Sequence, residues 1–409
     1  MKTQRAFPSL SITKKGEASL RNGHPWVYDA EITSSETGIE NGSLVDVISQ
    51  KGSYLGTGFY SEKSKIRIRV LSSNANETFD EAFFKRRLRY AVNYRKTVMG
   101  NDFSCCRLIF GEADGLPGLT VDRFGNILVS QVLSFGMNKI KGTIFHLLYS
   151  ILTEMGEEIS GIFERNDVPI RRLEGLNEYK GWFELEGVNH PDSTKTDIVE
   201  NGIKYEIDFE NGQKTGYFLD QKYNRLEVAR IAKGKNVLDC FTHTGSFALN
   251  AAKGGAEHVT AVDISQAAIS LARQNAERNS LSDKMDFICA DVFELLPRLE
   301  ESRQAPYDFI ILDPPAFTKS RKTVENAQRG YKEINFRAMK ILPRGGYLAT
   351  CSCSHFMRHD LFVKMLHDAA ADANVQLKQV EERQQAPDHP ILWNVPETDY
   401  LKFFIFQVI

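Results

Sequence analysis

The sequence predicts an α/β protein in which a doubly wound domain follows a small β-barrel and a small α+β domain. Three observations carry that expectation. From residue 199 onward, short apolar strand-like runs alternate with helical segments, the pattern of a parallel sheet with crossover helices. Before residue 72 there are only short strand-like runs broken by glycine-containing turns. Between the two, long amphipathic helical segments flank a hairpin-like pair around Gly125-Asn126. The expected boundaries are 1–74, 75–190 and 191–409, with "NHPDSTKTD" (189–197) as the linker before the last domain.

In the first domain, "GSLVDVIS" (42–49) and "YLGTGFYS" are separated by a Lys-Gly turn at 51–52. "KIRIRVLS" (65–72) alternates apolar with basic residues, the period of a half-buried strand. In the second, residues 79–99 place Phe83, Phe84, Leu88, Ala91 and Val98 on one helical face, with Asp80 near the start. In the third, the strands are "NVLDCF" (236–241), "HVTAVDIS" (258–265), "MDFICAD" (285–291), "YDFIILDPP" (307–315) and "GYLATCSCS" (346–354).

Composition excludes several classes. A hydrophobic content of 42% and a charged content of 25% are ordinary for a globular chain. No apolar run approaches the roughly 18 residues of a membrane span, and the N-terminus lacks a signal-peptide core, so no membrane partner and a cytoplasmic location are expected. The six cysteines include no C-x2-C pair and no matching histidine pair, so no metal site is expected. Cys351 and Cys353 form a C-x-C; an i, i+2 disulfide is badly strained. Net charge is −2, yet residues 65–107 carry ten Lys/Arg and four acidic residues. That local surplus, with Lys65, Arg67, Arg69, Arg86 and Arg89, fits a polyanion such as RNA, or else a solvated helix face.

Ligands of open α/β sheets sit outside the carboxyl ends of the strands. There the chain carries an ordered series: Phe241, Thr244 and Gly245 after the first strand, Asp263 after the second, Asp291 after the third, and Asp313-Pro314-Pro315 after the fourth. Gly245 permits close backbone approach at a helix N-terminus. Asp263 is placed for a ribose diol and Asp291 for an adenine amine; helix capping is the plainer reading of each acid alone. Without G-x-G-x-x-G, a dinucleotide is not favoured. The set describes an adenosine ligand without phosphates beside a reactive corner.

That arrangement resembles the class I S-adenosylmethionine-dependent methyltransferases. "GQKTGYFLDQKYNR" (212–225), "GEADGLPGLTVDRFG" (111–125), "LDPPAF" (312–317), "SCS" (352–354) and "PDHP" (387–390) resemble, over essentially the whole chain, the large-subunit (23S) ribosomal RNA cytosine-5 methyltransferases. The resemblance implies a PUA-type barrel, a central α+β domain and a Rossmann-like catalytic domain. It also implies S-adenosylmethionine as cofactor and ribosomal RNA, or an assembly intermediate of the large subunit, as partner. Cytosine C5 is a poor nucleophile until a thiolate adds to C6. The family pattern places that thiol at Cys353, with Asp313 as partner or proton donor to N3. Gln213 and Lys214 are placed to border the cofactor or the base and Asp220, Gln221 and Arg225 to order that loop, a loop-to-helix cap being the plainer reading of each; Phe317 is placed to stack on the base, and Lys319 to hold RNA phosphate or to lower the thiol's pKa. Many RNA cytosine-5 methyltransferases carry a second cysteine after D-P-P for product release; here Ala316 stands there, and the role of Cys351 stays open. The rival expectations are methylation of a guanine or adenine nitrogen, and a non-catalytic RNA-binding ribosome-assembly factor. Monomer and homodimer are both compatible with the sequence.

Overall fold

The computed structural model describes residues 7–302, 306–318 and 320–409. By internal contacts the chain forms two compact units: 1–198 with 207–219 and 387–398, and 199–206 with 220–386 and 399–409.

The first unit contains two sheets. Six strands run in the order Trp26–Tyr28, Ile66–Ser72, Tyr54–Tyr60, Leu44–Ser49, Ser9–Ile12, Ile32–Ser35. They enclose Leu10, Ile12, Val27, Val45, Val47, Leu55 and Ile68, which supply the apolar burial that holds so small a sheet together. The other sheet has five strands, Lys180–Phe183, Gly161–Arg165, Ile127–Val132, Leu119–Phe124 and Cys105–Phe110. Its central hairpin turns at Gly125-Asn126, where Gly125 has φ 64° and Phe124 pairs with Ile127. Helix Glu81–Met99 starts where Asp80 accepts the Phe83 N–H at 3.0 Å and buries Phe83, Phe84, Leu88 and Ala91. The expected linker is shorter than 189–197, because its last three residues already open the strand Lys195–Glu200.

The second unit is the doubly wound domain. Its first five strands are Asn236–Cys240, His258–Asp263, Met285–Cys289, Phe309–Leu312 and Tyr347–Ser352. Two further strands, Leu377–Arg383 and Lys402–Val408, complete a seven-stranded sheet in the order third, second, first, fourth, fifth, seventh, sixth. The first five pair in parallel; the seventh is antiparallel to both of its neighbours. Phe309, Ile310, Ile311 and Leu312 are all buried, as a strand covered by helices on both faces requires. Helices Val292–Ser302, Val324–Ile341 and His359–Ala373 share one large core with the central strands. Strand order reverses between the first and fourth strands, which is where such folds place a ligand crevice.

Candidate active site

Three of the five residues after the first strand leave ordinary backbone space. Phe241, His243 and Gly245 have φ of 64°, 50° and 81°. Left-handed backbone at two non-glycine residues is strained, and such strain persists only where surroundings impose it. Asp263 imposes part of it: its carboxylate accepts the His243 N–H at 2.9 Å and the Ser265 N–H at 2.9 Å. His243 is thus a loop residue, and burial holds its imidazole below the usual pKa. Asp239, buried in the first strand, accepts from the Thr242 hydroxyl at 2.5 Å and the Ala248 N–H at 3.0 Å, which caps helix Ser246–Lys253. Burial, reinforced by the charges of Asp313 and Asp263, raises the Asp239 carboxyl to about 7. A Cβ on Gly245 would lie 3.0 Å from that of Ala272, so the position needs glycine for space as well as for φ.

The residues fit an adenosine-type cofactor on an observation of their own. Thr244 is 6% exposed, and its Oγ1 has no hydrogen-bond partner among the described residues. Orphaned buried hydroxyls are costly unless a ligand completes them. Asp263 keeps an unused lone pair on each oxygen beyond its two backbone bonds. Asp291 caps its helix by accepting the Phe293 N–H at 2.8 Å and is half-buried. Phe241 is half-buried and packs on the domain core.

The reactive corner lies at the ends of the fourth and fifth strands. Asp313 is half-buried and receives a bond from Gln221 Nε2 at 3.1 Å. Gln221 is itself held by Asn224 Nδ2 at 2.6 Å, and Asp220 by the Tyr400 hydroxyl at 2.6 Å. Burial and the neighbouring Asp220 raise the Asp313 carboxyl to about 6, against the opposing pull of Arg225, Gln221 and Cys351. Arg225 is buried and ion-paired with Glu200.

The two cysteines part ways here. Cys351 is fully buried, its thiol bonded to Asp313 and Gln221, and burial pushes its pKa well up. Cys353 lies one residue beyond the strand, half-buried, with Sγ 4.0 Å from the Pro314 carbonyl oxygen. Of the two, Cys351 is the one that meets Asp313, while Cys353 approaches the next residue of the D-P-P segment.

The remaining expectations sort plainly. Phe317 packs against Tyr331 (centroids 4.6 Å) and Phe293 (5.7 Å), so core packing already engages the ring expected to stack on a base. Lys319 lies outside the described residues. Gln213 and Lys214 are exposed residues of the first unit, with Lys214 Nζ 4.8 Å over the Phe218 ring. The basic stripe is largely neutralised. Arg67 pairs with Asp29, Arg86 with Glu77 and Arg89 with Glu154; Lys65 is exposed. Arg69 corrects the expectation: it is 8% exposed and donates to Glu174 at 2.8 Å, a buried ion pair rather than a surface contact. The residues that sequence reasoning missed are Asp239 and Lys402. Asp239 left one signal, an acid inside an apolar strand; Lys402 left another, a lysine opening "KFFIFQV". Among the described residues no group of three or more His, Cys, Asp or Glu side chains is arranged to hold a metal ion. None of the described helices is long and apolar enough to cross a membrane.

Residues 180–407 match the family described as S-adenosylmethionine-dependent methyltransferase, and residues 10–73 match a PUA-like domain. The chain is 40% identical over 409 residues to "Ribosomal RNA large subunit methyltransferase I" of Klebsiella pneumoniae (strain 342), covering 100% of both chains. It is 41% identical over 404 residues to the protein of the same name from Shigella dysenteriae serotype 1 (strain Sd197), covering 98% of each. Among solved structures, an S-adenosylmethionine-dependent methyltransferase from Streptococcus mutans superposes with TM-score 0.81 at 22% identity, over 98% of this chain and 99% of that one. Another methyltransferase, complexed with SAH, gives TM-score 0.82 at 22% identity, over 97% and 99%. These last two establish a shared fold.

Proposed function

Since the chain belongs to the S-adenosylmethionine-dependent methyltransferases, we propose that it methylates C5 of a cytosine in large-subunit ribosomal RNA through a transient bond between Cys353 and C6. The RNA assignment draws on the name carried by its full-length relatives and on the PUA-like domain, a fold fitted to RNA contact. The observation that carries the chemistry is the placement of a half-buried thiol, Cys353, at the ligand edge of the sheet against the D-P-P segment.

S-adenosylmethionine supplies a methyl group on a sulfonium, electrophilic enough for an enamine carbon to attack. Thr244, the Gly245 turn, Asp263 and Asp291 would hold its adenosine portion. Cys353 attacks C6 as the thiolate and makes C5 nucleophilic. Asp313, with a pKa of about 6, is ionised for most of the time at neutral pH yet close enough to protonation to serve N3 as acceptor or donor. After methyl transfer, the C5 proton passes to water and the C5–C6 double bond reforms as the thiolate leaves C6. Cys351 is held in the protonated form, so its part is to brace Asp313 rather than to attack.

The test is nucleoside mass spectrometry of large-subunit RNA incubated with the protein and labelled S-adenosylmethionine. The expected product is 5-methylcytidine from the wild type and none from Cys353→Ala. Methylation of a purine nitrogen, or a near wild-type rate in Cys353→Ala, overturns the reading.

A further inference from the structure

Lys402 opens the seventh strand and stands directly opposite Ser352 in the antiparallel ladder, one position before Cys353. It is 4% exposed. An ammonium removed from water costs several kcal/mol unless partners compensate. Two partners are backbone carbonyls: Nζ donates to Ser354 O at 2.8 Å and Tyr400 O at 2.9 Å. Neither carries a formal charge. The Ser354 carbonyl belongs to the turn that also contains Cys353, and the same turn is pinned from the other side by Ser354 Oγ donating to Thr318 O at 2.9 Å. Lys402 thus clamps the segment that presents the thiol.

Burial lowers Lys402 to about 8, while Asp399 and Cys353 both favour its charged form. A thiolate at 353 raises the pKa of both Cys351 and Tyr331, so their anions would each oppose it. Lys402 is a cation within electrostatic reach of that thiol.

We propose that Lys402 is a positioning residue for Cys353, fixing the strand-end turn through two carbonyls and stabilising the thiolate with its ammonium. The Cys353 S–H proton leaves to water, the sulfur keeps the electron pair, and Lys402 stays protonated without forming a bond. The proposal rests on reading Cys353 as the nucleophile, but its test reads ionisation alone.

Full-length protein is alkylated with iodoacetamide across pH 6 to 10, and the Cys353 and Cys289 peptides are followed separately by mass spectrometry. Cys289, exposed, serves as the internal reference. In the wild type the Cys353 rate profile has its midpoint below that of Cys289. Lys402→Met moves the Cys353 midpoint up by about one pH unit and slows its alkylation near pH 7 about tenfold, with Cys289 unchanged. Lys402→Arg restores the low midpoint. A wild-type Cys353 midpoint at or above that of Cys289 overturns the proposal without any variant, and so decides the matter should Lys402→Met fail to fold. A folded Lys402→Met with an unmoved midpoint overturns it too. An acidified Cys353 that proves dispensable for methylation would sink the nucleophile reading and leave the role of Lys402 standing.

Discussion

On the outer side of the parallel sheet, at the second and third strands, Asp263 and Asp291 are half-buried and direct their oxygens at backbone N–H groups. At the centre, on the first, fourth and fifth strands, Asp239, Asp313 and Cys351 are shut in with one another, and burial raises the pKa of all three. The same residue type therefore does two jobs along one edge. The outer carboxylates are fixed acceptors, suited to hydroxyl and amino groups that do not react. Among the central ones, Asp313 adds to burial in raising the pKa of Asp239 and Cys351, and it lies against the Cys351 thiol, the condition for acid–base and nucleophilic chemistry. On the proposed function, the contrast corresponds to a binding half and a reacting half of one crevice.

Four changes probe the contrast, the largest first. Cys353→Ala removes the proposed nucleophile and should lower the methylation rate by on the order of a thousandfold or more, while S-adenosylmethionine affinity measured by calorimetry stays unchanged. Next is Asp239→Asn in the central half. The folded carboxyl, raised to about 7, holds a proton that the unfolded chain releases near 4, so its ionisation weakens the fold as pH rises through that window. The amide removes that dependence. Urea denaturation should show that the wild type loses on the order of 2 kcal/mol more than the variant between pH 5 and pH 7; equal slopes would mean that Asp239 is already ionised in the fold. Third, Gly245→Ala forces a side chain into left-handed backbone, 3.0 Å from Ala272. It should cost about 1–2 kcal/mol of stability and weaken cofactor binding, read by thermal melting and calorimetry. The smallest is Cys351→Ala, which deletes one bond to Asp313 and should cost about 1 kcal/mol. Methylation should survive within about fivefold, which separates a bracing thiol from an attacking one.

The alternation of strand and helix from residue 199 made the doubly wound domain legible, because parallel strands need crossover helices and leave a periodic trace. The hairpin at Gly125-Asn126 and the Asp80 cap were legible for similar reasons: each is a local device with its own residue type. The two antiparallel strands at 377–383 and 402–408 were not part of that reading, since they break the alternation, although "KFFIFQV" is an apolar strand-like run. Strand-end acids could be read one by one, but their roles could not. Asp239 looked like an ordinary strand residue until its carboxyl was found capping a helix nine residues on. Arg69 alternated with apolar neighbours and looked exposed; its partner, Glu174, lies 105 residues away, beyond any periodicity. Cys351 and Cys353 were indistinguishable by spacing; the family resemblance pointed to Cys353, and burial added that Cys351 is closed off while Cys353 is half-buried.

The measurement that bears most directly on the reacting half is a trapping reaction with large-subunit RNA in which cytidine is replaced by 5-fluorocytidine. Fluorine at C5 cannot leave as a proton does, so a thiol bonded to C6 stays bonded. The wild type and Cys351→Ala should yield a denaturant-stable RNA–protein complex with the modification on the Cys353 peptide, and Cys353→Ala should yield none. A complex formed by Cys353→Ala, or full turnover of the fluorinated RNA with no complex at all, would contradict the account.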